Sequence, residues 1–117
     1  MLTVYGIPNC NTVKKARDWL DANKVDYVFH DFKKQGIDEA TINNWLTQYP
    51  WEKLINRAGL TWRGLDDTVK SSITDNVSAN KLMQTKTSVI KRPILVKDSK
   101  VLCLGFDENL YKETFKL

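Results

Sequence analysis

Val4-Tyr5-Gly6-Ile7-Pro8-Asn9-Cys10-Asn11-Thr12-Val13-Lys14-Lys15-Ala16-Arg17-Asp18-Trp19-Leu20 reads as a strand, a turn, a cysteine and a helix in succession. Leu2, Val4 and Tyr5 suit a short buried strand. Gly6, Pro8 and Asn9 are turn residues. Val13, Ala16 and Leu20 recur at helical spacing, with Trp19 widening the stripe and charged residues filling the other face. Cys10 therefore falls where a loop becomes a helix N-terminus. Unpaired N–H groups and the helix dipole favour negative charge there. A thiol in that place loses its proton more readily, and the thiolate is the reactive form. Free cysteines are often inert core residues. The strand–turn–cysteine–helix context favours a reactive one.

The 117 residues have the size of one domain with a sizeable core, and 42% hydrophobic and 27% charged residues are ordinary for a soluble globular chain. No apolar run is long enough to span a membrane. The opening residues do not read as a secretory signal. Two cysteines are too few for a disulfide scaffold, so a reducing, cytoplasmic setting is expected. One histidine and no Cys/His cluster leave no metal site to expect. The formal net charge of +4 argues for attraction of small anions. No basic run or RNA-binding aromatic motif points to nucleic acid.

Outward from the opening stretch, Ala22-Asn23-Lys24 is expected to close the first helix, with Asn23 at the C′ position that favours left-handed backbone. Val25 to Phe32 reads as a parallel strand with both faces covered. His30 is expected to be structural. Lys33-Lys34-Gln35-Gly36 reads as a turn. Asp38 then caps a helix with Ile37 and Ile42 at staple spacing. Pro50 is expected at the first position of a short helix that Gly59 stops. Thr61 and Ser78 are expected caps of further helices, so roughly residues 36–85 read as a helical insertion without strands. Ile94-Leu95-Val96 and Val101-Leu102-Cys103-Leu104, separated by a polar turn, predict an antiparallel hairpin. Asp107 caps a last helix, with Phe106 and Tyr111 at staple spacing and Leu110 and Phe115 on the apolar face. The predicted order is β-α-β, helices, β-β-α. That order describes an α/β domain over residues 1–117 with a mixed four-stranded sheet. Sequence alone favours a trans peptide before Pro93.

This order, with Cys10 opening the first helix and Pro93 opening a later strand, resembles the thioredoxin fold. Tyr5–Thr12, Lys15-Ala16-Arg17, Leu54-Ile55-Asn56-Arg57 and Ile90–Val96 together resemble the ArsC/Spx family, and Asn9–Arg17 resembles its YffB-like branch. The resemblance implies a nucleophilic Cys10. It also implies anion-binding roles for Arg57 and Arg92, two of the three arginines around the thiolate in the arsenate reductases. A cis peptide before Pro93 is implied too. Two departures narrow the expectation. The third arginine falls at about Leu104, which is apolar. The Cys-x-x-Cys switch of the Spx regulators is absent, because Val13 stands three after Cys10.

The function expected from this is a single-cysteine, glutathione-dependent thiol reductase. Arg57, Arg92, Asn11 and Thr12 would form its anion site, with no bound cofactor and glutathione as co-substrate. Cys103 is expected as buried packing and the chain as a monomer. The alternatives are a true arsenate reductase and a Spx-like module that contacts RNA polymerase.

Overall fold

The computed structural model describes residues 1–117. Two compact units divide the chain: Met1–Gln35 with Arg92–Leu117, and Gly36–Lys91.

The first unit is built on a sheet of four strands: β1 (Leu2–Gly6), β2 (Tyr27–Asp31), β3 (Ile94–Lys97) and β4 (Lys100–Leu104). Their order is β2-β1-β3-β4. β1 pairs parallel with β2 and antiparallel with β3, and β3 pairs antiparallel with β4. This is the expected mixed sheet. Alternation along β1 buries Leu2, Val4 and Gly6. Leu2 and Val4 pack with Leu95, Cys103, Ala16, Leu20 and Tyr111 in one apolar cluster.

Helix α1 (Asn11–Ala22) lays Val13, Ala16 and Leu20 into the core. It can approach β1 closely because residue 6 is glycine. A Cβ on Gly6 would stand 2.9 Å from a methyl of Val13. The hairpin turn is tighter than expected. Only Asp98 and Ser99 lie between β3 and β4, and both have positive φ, as a two-residue hairpin turn of the primed type requires. Leu95 faces Cys103 and Val96 faces Val101, so Leu102 is the extra residue of a β-bulge. The last helix (α8 below) is capped by Asp107, whose Oδ1 accepts the Leu110 N–H at 3.2 Å. Phe106 meets Tyr111 edge-on at 5.0 Å, the expected staple. Tyr111 donates to the Gly105 carbonyl at 2.7 Å.

The second unit contains α3 (Glu39–Leu46), α4 (Trp51–Leu54), α5 (Leu60–Arg63), α6 (Asp67–Ser72) and α7 (Asn76–Thr85). α2 (Phe32–Gln35) precedes it and α8 (Glu108–Phe115) follows it, both in the first unit. Asp38 caps α3 as expected, accepting the Thr41 N–H at 2.7 Å. Asn80 on α7 is buried, donates to Asn43 Oδ1 at 2.7 Å and to the Glu39 carbonyl at 3.2 Å, and accepts from Gln84 at 2.7 Å. These bonds tie α7 to α3 through satisfied polar groups.

Several local expectations are corrected. The left-handed residue after α1 is Lys24, not Asn23, whose side chain instead donates to the Trp19 carbonyl. β2 is an edge strand, and Val28 is 52% exposed, so its two faces are not both covered. Lys33–Gln35 continue from Phe32 as a helical turn. Pro50 is the cap of α4, not its first residue. That helix ends at Leu54 with Ile55 as its C-cap, and Gly59 is the N-cap of α5, with Thr61 inside that helix. Asp75 caps α7, while Ser78 is the reciprocal partner in a capping box. Leu110 is exposed, and Tyr111 takes the buried place on α8. No helix is long and apolar enough to cross a membrane.

Candidate active site

The parallel pairing of β1 and β2 delivers the Ile7-Pro8-Asn9 loop to the C-terminal end of the sheet, where α1 begins. Cys10 is the N-cap residue of α1, with extended backbone (φ −110°, ψ 126°), and its carbonyl accepts the Lys14 N–H at 2.9 Å. Its side chain is partly exposed. None of the first-turn amides makes a short capping bond to the sulfur. The Val13 and Thr12 N–H groups nonetheless face it and favour the thiolate.

Burial alone would raise the Cys10 pKa. It is outweighed by the Val13 N–H, a hydrogen bond from the Arg92 side chain, the Thr12 N–H and the Arg92 charge, so the thiol is held below its usual value. Arg92 reaches the sulfur from the residue before Pro93, and the Arg92–Pro93 peptide bond is cis. Arg92 thus comes from the start of β3, beside the strand that leads into Cys10. The arrangement holds an ionised sulfur beside a guanidinium that can also fork to an anion.

The structure brings together Cys10, Thr12 and Arg92. Val13 joins them through its backbone, a role its apolar side chain hides; the signal was its place in the first turn of a capped helix. Asn11 is the exposed first residue of α1. Arg57 belongs to the second unit, is exposed, and lies 5.6 Å from the ring centroid of Trp51. Leu104 ends β4 opposite Ile94 and is half-buried. Cys103 is buried against Leu2, Val4 and Leu95. Burial raises its pKa against a weak contact with Thr114 Oγ1 at 3.6 Å. On the other side of the Cys10 loop, Lys33 Nζ rests 3.4 Å from Asn9 Oδ1. His30 is half-buried, with its ring 4.7 Å from that of Tyr5. No group of three or more His, Cys, Asp or Glu side chains is placed to hold a metal.

The model of the ArsC family matches residues 5–114. The chain belongs to the ArsC family. The solved structure of a YffB protein superposes with a TM-score of 0.91 at 40% identity, covering 97% of this chain and 98% of that one. An arsenate reductase-related protein from Brucella melitensis is 47% identical, with a TM-score of 0.77 and coverage of 99% and 95%. The global transcriptional regulator Spx 1 of Lactococcus lactis is 31% identical over 114 residues, covering 93% of this chain and 84% of its own. The fold is the thioredoxin-like α/β fold of that family, and its relatives include both arsenate reductase-related proteins and regulators.

Proposed function

We propose that this chain is a thiol/disulfide reductase that works through one cysteine and takes its electrons from glutathione. The observation that carries the reading is the acidified Cys10 thiol, set at the start of α1 beside the Arg92 guanidinium. The thiolate attacks one sulfur of a disulfide RSSR′, forming Cys10–S–S–R and releasing R′S⁻. A glutathione thiolate then attacks the R sulfur, giving GSSR and restoring the Cys10 thiolate. A second glutathione converts GSSR to GSSG and RSH, so two electrons pass in all. Arg92 stabilises the sulfur anion as attacking and leaving group. The exposed first turn, with Asn11 and Thr12, receives an anionic substrate group. Arg57 enters from the resemblance alone, as a second clamp on such a group.

The surroundings of Cys10 support an external thiol as the resolving partner. Val13 occupies the position of a partner cysteine, and Cys103 is buried with a raised pKa. The test is turnover of a small disulfide with glutathione by wild type and Cys10→Ser. Activity confined to wild type is expected, and equal rates overturn the reading. Sedimentation at micromolar concentration checks the accompanying proposal of a monomer.

Two other readings each have an observation behind them. The 31% identity to a Spx regulator favours a binding module for RNA polymerase. Recovery of the polymerase by wild type and Cys10→Ser alike would select it. The relation to arsenate reductase-related proteins favours arsenate reduction, against which Leu104 stands where the third arginine falls. If the missing clamp is the reason, Leu104→Arg raises arsenate turnover.

A further inference from the structure

Three basic side chains near the start of α1 are already engaged. Arg92 bonds to the Cys10 sulfur. Lys14 pairs with Asp18 at 3.3 Å. Arg17 lies 4.0 Å over the Phe29 ring and donates to the Tyr27 hydroxyl at 3.2 Å. Lys33 differs from all three. Its ammonium rests on the neutral amide oxygen of Asn9, the residue before the nucleophile. That contact is long for a hydrogen bond and leaves donors for another acceptor.

The backbone holds Lys33 in that place. β2 pairs with β1 so that Gly6 faces Asp31, which brings the end of β2 beside the loop that leads to Cys10. The buried Asp31 carboxylate accepts the Lys33 N–H at 2.9 Å and fixes the first turn of α2. Asp31 is thus bound to the Lys33 backbone, while the ammonium lies at the exposed end of the side chain.

We infer that Lys33 is a second cationic contact of the Cys10 site, binding a carboxylate of an anionic thiol or disulfide while Arg92 attends to the sulfur. The identity of that thiol as glutathione, which carries two carboxylates, rests on the reductase reading; the charge preference does not. Lys33 is a specificity residue for an anionic partner and takes no part in sulfur chemistry.

The full-length protein tests this without requiring turnover. Cys10 is alkylated with iodoacetate and with iodoacetamide, each losing iodide to the thiolate, and modification of the Cys10 peptide is followed by mass spectrometry. Lys33→Gln is expected to lower the iodoacetate-to-iodoacetamide rate ratio by about twofold to fivefold, the range for an exposed charge pair. Lys33→Arg restores it, Lys15→Gln leaves it unchanged, and high salt removes the difference. An unchanged ratio in Lys33→Gln overturns the inference, as does an equal fall in Lys15→Gln. In turnover, Lys33→Gln raises KM for glutathione and not for 2-mercaptoethanol; an equal rise for both also overturns it. Absence of wild-type turnover with either thiol sinks the reductase reading, and the alkylation ratio still decides the role of Lys33.

Discussion

Arg92 opposes the effect of burial on Cys10, so its removal should expose that effect. In Arg92→Met the midpoint of alkylation rate against pH moves up toward the free-thiol value of ~8.5. A charge-assisted hydrogen bond contributes about 1.5–3 kcal/mol, so reactivity at neutral pH falls on the order of tenfold or more. An unmoved midpoint would assign the acidity to the α1 amides alone. The cysteine and its helix were legible in the sequence because cap, turn and stripe all lie within seventeen residues. The sequence-only preference for a trans bond at Pro93 failed because the isomer is set by tertiary packing, not by the Arg-Pro pair. Val13 was read for its methyl groups and not for its N–H.

At the scale of elements, the close approach of β1 and α1 depends on the missing side chain of residue 6. Gly6→Ala forces a methyl against Val13, a stiff β-branched residue with no exposed surface. A loss of about 1–3 kcal/mol is expected in denaturant unfolding. Because the Val13 N–H faces the sulfur, the Cys10 thiol becomes less acidic in the same variant. Adding Val13→Ala should make the pair non-additive; additive losses would show that no clash exists. Removing the α7 cap with Asp75→Ala destabilises the helix, read as a fall in Tm. The Asp75 carboxylate accepts from both the N–H and the hydroxyl of Ser78, so Ser78→Ala also destabilises the helix. Such reciprocal caps explain why the sequence suggested a cap but not its first residue: Asp75 and Ser78 both have cap chemistry. The edge position of β2 was illegible for a different reason. Tyr27, Val28 and Phe29 suit any strand, and strand order depends on residues 94–104, far along the chain.

For the whole molecule, the buried Cys103 and Tyr111 set the alkaline limit. Burial raises both pKa values; at Cys103 the Thr114 hydrogen bond opposes it and the Asp107 charge adds to it, and at Tyr111 the Cys103 charge adds to it. A group whose folded pKa is raised stabilises the fold below its unfolded pKa, and that contribution is lost as pH rises through the folded one. Stability therefore falls above the unfolded thiol value of ~8.5 and further above the unfolded phenol value of ~10. Cys10 acts oppositely: its contribution is present above the unfolded thiol value and lost as pH falls through the lowered one. Tyr111→Phe should lose about 1 kcal/mol at pH 7, with the bond to Gly105, yet show a shallower fall in Tm from pH 9 to 11. A parallel fall in both proteins would remove Tyr111 from the account. The unit that carries Cys10 is joined from Met1–Gln35 and Arg92–Leu117, with all of Gly36–Lys91 made in between. On the ribosome the nucleophile is thus synthesised long before its guanidinium partner, and β1 waits for its antiparallel neighbour. Until that late strand docks, a nascent chain lacks the Arg92 contribution to thiol acidity, and full reactivity arrives only with the finished fold.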